Sequence, residues 1–438
     1  MVGLAATWVV PVLHQASDPH SELPLTTEQC SWMASLYYVS RTVSPILSPF
    51  LADKLGRTYV ITLNAFVLCG TWIAVYWSRD VFIHYIIRLI CGACDGLHSV
   101  VISVYVCEVS SPQFRGTFMT LAIFFLSGGQ LFVFVLAAYF SYNCIALTYF
   151  ACGFITVLST VLLMEPPQSL LMDGNTEKAE KNFARLRDMN DPHAVTEFQA
   201  MKKNVEEERL KKFNLSQYAT KEVCKSFRII LIFTALYAGC GFGPVSTFVT
   251  TMFSNSSVFS ANQLSIFYAL LQVICTGATS TIVDRVGRRC LILITNVIVT
   301  VIHIGIVALY CIQYTYEIPC FHLILCIMLT MYACLSLMFQ APLLSLIRGE
   351  LLPQKVRMMG SGFSTVVISL VYFIQIHTFL FIAEKLGIEY NFVMYSCSAL
   401  LSVVYLYFEL PETRGKTLVE IQDDLKSAKD GKPEISRL

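Results

Sequence analysis

Charge is scarce in this chain. Asp, Glu, Lys and Arg make up 14% of its 438 residues, against about 25% in a typical soluble domain. The net charge is +1, so there is no cationic surface for nucleic acid and no field to recruit an acidic partner. No Walker-type glycine-rich loop occurs, which leaves ATP coupling unsupported and implies no cofactor. Sixteen cysteines are present, yet no Cys/His spacing of a metal site stands out. Most, such as Cys69, Cys152, Cys326 and Cys334, lie inside apolar runs and read as small packing residues. Cys91 and Cys94 form a CxxC, but it falls mid-helix within an apolar run and is assigned no redox or metal role. Nothing in the pattern points to an enzyme.

What the chain has instead is apolar length. It is 55% hydrophobic, with a mean hydropathy of +0.61. Segments long enough to cross a bilayer, about 20 residues each, are predicted at 30–52, 58–78, 82–106, 116–140, 144–164, 228–253, 262–283, 289–312, 320–347, 358–383 and 391–410. Residues 2–14 form a twelfth run, too short to cross alone. Backbone polar groups must pair internally in lipid, so these segments are expected to be helices in a lipid bilayer.

The few charges recur in order. Asp53-Lys54-Leu55-Gly56-Arg57 returns 231 residues later as Asp284-Arg285-Val286-Gly287-Arg288-Arg289. Glu108 and Arg115 are matched at an offset of 242 by Glu350 and Arg357. Glu165 in Glu-Pro-Pro-Gln is answered 247 residues on by Glu412 in Pro-Glu-Thr-Arg-Gly. This period is too long for a solenoid repeat and fits two copies of a helical bundle. The predicted domains are an N-terminal bundle (1–164), a charged linker with helical stretches (165–227), a C-terminal bundle (228–410) and a polar tail (411–438).

Orientation follows from the cations. If residue 53 faces the cytoplasm, the inner segments hold 27 of the 31 Lys and Arg residues, and the outer loops hold only Arg79 and Lys385. Arg348 falls in the inner set. Asn255 opens a glycosylation sequon in a predicted outer loop, whereas the sequon at Asn214 is expected inside, where it would go unused.

The junction residues resemble those of the sugar-porter branch of the major facilitator superfamily, and most closely insect trehalose-transporter-like proteins. The motifs are the two Asp-x-x-Gly-Arg turns, Arg88…Gly92, Tyr105…Glu108…Arg115-Gly116, Glu350…Pro353…Arg357 and Pro411-Glu412-Thr413-Arg414-Gly415. Leu25 to Trp32 is similar to the family's first outer loop. The resemblance covers nearly the whole chain. It implies an all-α membrane protein of two six-helix bundles related by a pseudo-two-fold repeat. The first helix would be truncated, because Trp8 to Leu13 matches only its outer end. It further implies transport of a small polar solute, such as trehalose or a hexose, by alternating access at one midplane site, in the plasma membrane. The inner charges Asp53, Arg57, Glu108, Arg115, Asp284, Arg288, Glu350, Arg357, Glu412 and Arg414 are then expected to form ion pairs that hold an inner gate shut.

The chain departs from the family where hexose is held. Family amide positions in the fifth, seventh and eleventh helices are occupied by Ile123, by Tyr237, Ala238 and Gly243, and by Ile368; the tenth-helix Trp position is Ser345. One polar contact survives, Gln272 in the eighth helix. Ser48-Pro49, Ser103 and Gln168 also replace family residues at the junctions. Two intramembrane charges appear instead, Arg41 and Asp95, at nearly the same depth, and they are expected to pair. His98, His303 and His377 are expected to be packed polar residues. A passive carrier for a sugar or another small polar solute, a non-transporting relative, and an ion-coupled carrier of a non-sugar solute are the three readings that remain.

Overall fold

A computed structural model describes residues 1–10, 13, 25–110, 115–187, 192–210, 221–254, 259–282, 288–352 and 354–411. All regular elements among them are helices. The N-terminal half comprises α1 (Val2–Thr7), α2 (Thr27–Leu55), α3 (Arg57–Trp77), α4 (Val81–Val109), α5 (Arg115–Tyr139) and α6 (Tyr142–Thr160). The linker forms α7 (Pro167–Met172), α8 (Thr176–Leu186) and α9 (Pro192–Leu210). The C-terminal half comprises α10 (Lys221–Gly239), α11 (Phe242–Met252), α12 (Ala261–Ile282), α13 (Arg288–Thr315), α14 (Phe321–Leu335), α15 (Ala341–Leu351), α16 (Gln354–Lys385) and α17 (Glu389–Glu409).

Ten helical segments among the described residues are long and apolar enough to cross a membrane. Of the eleven spans drawn from the sequence, 30–52 is the one that does not meet that standard. Its helix, α2, has the length, at 29 residues, but carries Ser31, Ser35, Arg41, Ser44 and Ser48. All but Arg41 are buried. A helix enclosed by protein on its polar side does not need a uniformly apolar surface.

Two spans are interrupted. The seventh, predicted as a continuous 228–253, breaks between α10 and α11. Gly241 there is left-handed at φ +86, and a Cβ on it would lie 2.5 Å from the Tyr395 ring. The carbonyls released by the break find side-chain donors on three other helices: Ser398 to Leu236 (3.2 Å), Gln375 to Gly239 (3.1 Å) and Tyr332 to Cys240 (2.7 Å). Backbone away from water must be satisfied, so a broken helix in lipid needs such partners. The tenth span joins α14 to α15 through a π-helical turn, Ser336–Gln340, held by Ser336 to Gln340 (2.6 Å) and Gln340 to Asn296 (3.0 Å).

The cores divide by depth. One large apolar cluster joins both halves at the end that the cation distribution assigns to the outside, from Trp8, Tyr37 and Trp72 to Phe248, Phe379 and Tyr395. Toward the inner side the halves have separate clusters. Ala52, Val60, Ile61, Val101 and Tyr105 form one, and Ile230, Phe233, Leu291, Leu344, Leu352 and Leu406 belong to the other. The linker helices keep a small core of their own, in which Phe183 meets Phe198 at 5.1 Å.

Candidate functional site

The halves meet along two helix pairs, α2 against α16 and α5 against α12, and the first of these forms an antiparallel seam. Thr27 donates to Glu384 at 3.3 Å at the outer mouth. Deeper, Ser35 lies 3.3 Å from His377 Nδ1, and Trp32 packs on the same imidazole at 4.5 Å. Tyr38 meets Tyr372 edge-on at 5.5 Å, and Arg41 Nη1 donates to Ser369 at 3.3 Å. The two residue numbers in these pairs sum to nearly the same value each time, as an unbroken antiparallel register requires. A shallow cavity of about 420 Å³ caps the seam, lined by Thr27, Cys30, Phe248, Thr251, Leu380 and Glu384. His377 is therefore part of the seam between the halves. His303 is enclosed by Tyr332, Phe392 and Tyr395, and neither of its ring nitrogens has a hydrogen-bond partner.

The two intramembrane charges meet. Arg41 Nε lies 2.5 Å from Asp95 Oδ2, and the Tyr37 hydroxyl donates to the same oxygen at 2.8 Å. Glycines on α4 allow this approach. A Cβ at Gly92 would fall 1.9 Å from the Tyr37 carbonyl oxygen, and one at Gly96 would fall 1.9 Å from Ser44 Oγ. The spacing Gly92-x-x-x-Gly96 thus seats α4 on α2, the close contact that small residues give membrane helices. Because Arg41 also reaches Ser369, it is bound to both halves at once. Arg88, buried nearby, is satisfied without a carboxylate: it donates to the carbonyls of Met33 (2.9 Å), Ala5 (3.2 Å) and Ala34 (3.3 Å) and lies over the Tyr37 ring at 4.6 Å.

At the inner end of the N-terminal half, the α2–α3 turn is organised around Arg57. This side chain is 9% exposed and lies 3.0 Å from Asp53 and 3.5 Å from Glu108. It also donates to the Ala52 carbonyl (3.3 Å) and to Ser169 Oγ (3.1 Å). The turn itself is made by Gly56 at φ +90. Gly56 is also the N-cap of α3 and has no side chain to satisfy the first amides. Glu165 does so from the end of the sixth span: its carboxylate accepts from the amides of Arg57 (2.7 Å) and Thr58 (2.9 Å). A helix N-terminus favours such an anion. Burial pushes the Glu108 carboxyl up to about 7; Arg57 opposes the rise, and Glu165 and Asp53 add to it.

The other expected gate residues are only partly visible. Asp284, Glu412 and Arg414 lie outside the described residues, as do the side chains of Arg115, Glu350 and Arg357; Arg288 opens α13. Asn255 is likewise outside them. Gln272 is fully buried beside Tyr268, and among the described residues its amide atoms meet no hydrogen-bond geometry. Ile123 and Ile368 are half-buried, and Ile368 packs against two of the apolar clusters, while Tyr237 is buried beside Tyr372 and near both Arg41 and Arg348. Sequence reasoning missed Glu165 as a cap, Ser369 as the partner of Arg41, and the break at Gly241. Of these only the last had a local signal, the alternating glycines of Gly239-Cys-Gly241-Phe-Gly243.

The profile of the family described as "Sugar (and other) transporter" matches residues 3–425. The chain is 23% identical over 429 residues to the facilitated trehalose transporter Tret1 of Apis mellifera ligustica, covering 96% of this chain and 85% of that protein. It is 25% identical over 446 residues to solute carrier family 2, facilitated glucose transporter member 6 of Mus musculus, covering 94% and 86%. Its fold matches that of the xylose transporter XylE from E. coli in an inward-open conformation, with a TM-score of 0.77 at 17% identity over 97% of this chain and 96% of that one.

Proposed function

Because the chain belongs to the sugar transporter family, whose profile spans nearly all of it, we propose that it carries a polyhydroxylated solute of the sugar class, trehalose and hexoses included, across the plasma membrane by facilitated diffusion. It is a multi-pass membrane protein and not an enzyme. Alternating access moves such a cargo by rocking two bundles about one midplane site. The observation that carries this reading is the division of the core: one cluster seals both halves together on the outer side, and separate clusters serve them on the inner side. Two bodies that share a hydrophobic core at one end and keep separate cores at the other can exchange the joined end.

In this reading Asp53, Arg57 and Glu108 belong to the inner gate, together with Arg115, Asp284, Arg288, Glu350, Arg357, Glu412 and Arg414. Individual surface pairs contribute only ~0–1 kcal/mol, so a network of them biases the closed state without locking it. The cation distribution supports a cytoplasmic C-terminus and a cytoplasmic 165–227 linker. Uptake of labelled trehalose, glucose, glucuronate and polyols into oocytes expressing the chain tests the proposal. Saturable uptake of at least one is expected. Normal surface expression without uptake of any would identify a non-transporting relative.

A further inference from the structure

Arg348 is a cation for which the gate and the seam have no use. In the sequence it counts as one more inner-side charge. Its side chain instead runs back along α15, donating from Nε to the Leu344 carbonyl (3.3 Å) and from Nη2 to Ser345 Oγ (3.0 Å). The tenth span enters from the outer side and ends at Leu351, so this direction leads toward the midplane. Side chains on a helix lean toward its N-terminus, and at Arg348 that lean carries the guanidinium away from the nearer interface. Arg348 is half-buried and Ser345 exposed, and polar surface at this depth belongs to a cavity rather than to lipid. The guanidinium stands near Tyr237, which also lies near Arg41 and beside Tyr372.

The local charges do not balance. Asp95 is engaged by Arg41 at 2.5 Å and by Tyr37 at 2.8 Å. Among the described residues, Arg348 has only the carbonyl and hydroxyl of its own helix as partners. Of the five N–H donors of a guanidinium, about three therefore remain for a ligand. A cation inside a membrane protein is costly without a counter-ion, and the planar fork of Arg fits a carboxylate in bidentate fashion.

We infer that the cargo supplies the missing charge: it is a monocarboxylate sugar acid, bound by Arg348 through its carboxylate and by Tyr38, Tyr237 and Tyr372 through its hydroxyls. A phosphate dianion fits less well, because it brings a second negative charge toward Asp95. This inference rests on the transport reading and narrows its substrate class.

The full-length protein, purified and reconstituted in phosphatidylcholine vesicles, tests it with labelled glucose, glucuronate and glucose 6-phosphate. Glucuronate should enter roughly ten-fold faster than glucose, and Arg348→Gln should cut that ratio roughly ten-fold, with Arg348→Lys intermediate. Glucuronate, but not glucose, should also raise the melting temperature of the purified protein, and Arg348→Gln should abolish the rise. Glucose entering as fast as glucuronate, glucose 6-phosphate entering faster, or a ratio unchanged in Arg348→Gln would overturn the assignment. If no probe enters yet glucuronate still raises the melting temperature, the transport reading fails and the charge assignment stands. If neither occurs, both fail.

Discussion

The carboxylate of Glu165 closes the N-terminus of a helix whose own cap is a glycine. It accepts the amide protons of Arg57 and Thr58 at 2.7 and 2.9 Å from 108 and 107 residues away in the chain, and Ser169 donates to it at 2.9 Å. The side chain of Arg57 reaches the same Ser169 at 3.1 Å. The inner turn, the end of the sixth span and the first linker helix are thus one hydrogen-bonded unit.

Removing that carboxylate should loosen the unit. Glu165→Ala strips two amides of their acceptor, and loss of an N-cap costs about 0.5–2 kcal/mol. Glu165→Gln keeps one acceptor oxygen and should lose less. Thermal inactivation of the detergent-solubilised protein should rank wild type above Gln above Ala. Equal temperatures would show that water replaces the cap.

Glu108 gives the inner turn a pH dependence. Its carboxyl is raised from 4.5 to about 7, first by burial. A raised carboxyl contributes stability that is fully present below the unfolded value and is lost as pH rises through the folded one. Stability should therefore fall between pH 4.5 and 7, and Glu108→Gln should flatten that slope. The same titration removes the charge facing Arg57 as pH drops through about 7. Melting of both proteins across about pH 4–8, which brackets the transition, checks the sign; a parallel pair of curves would contradict it.

The Arg41–Asp95 pair is largely shielded, with side chains 18% and 11% exposed. Breaking a buried pair from one side costs about 3–5 kcal/mol, because the remaining charge is uncompensated. Asp95→Asn should destabilise strongly, and adding Arg41→Gln should recover much of the loss. If the double variant melts no higher than the single one, the pair is not what holds α4 to α2 at this depth.

Gly241 occupies a conformation that costs other residues about 1–2 kcal/mol, and a Cβ there would also strike Tyr395 at 2.5 Å. Gly241→Ala should lower the melting temperature and disturb the three hydrogen bonds that satisfy the broken seventh span. Cys240→Ala, one residue away in the same turn but without a left-handed backbone, serves as the control and should be mild. A stable Gly241→Ala would mean that the break tolerates a normal helix.

The chain's one-dimensional features were legible because they depend on local composition. A span is recognised by apolar length, an inner turn by its charges, and a duplication by their recurrence. Ten of the eleven drawn spans have the length and apolarity to cross, and α2 differs because its polar positions are enclosed by protein. The site was less legible. Arg41 and Asp95 were noticeable as charges in apolar runs, but Ser369 has no sequence mark that separates it from any other serine on a membrane helix.

By itself, the sequence determined that this is a two-bundle membrane protein with charged inner turns, since lipid admits few alternatives for such apolar segments and cations mark one side. Only the tertiary structure decided that the seventh span breaks at Gly241, that Glu165 caps α3, that α2 and α16 seal the outer side, and that Arg348 turns toward the midplane. Each of these depends on atoms brought together from distant parts of the chain, and packing geometry, not composition, sets which donor finds which acceptor.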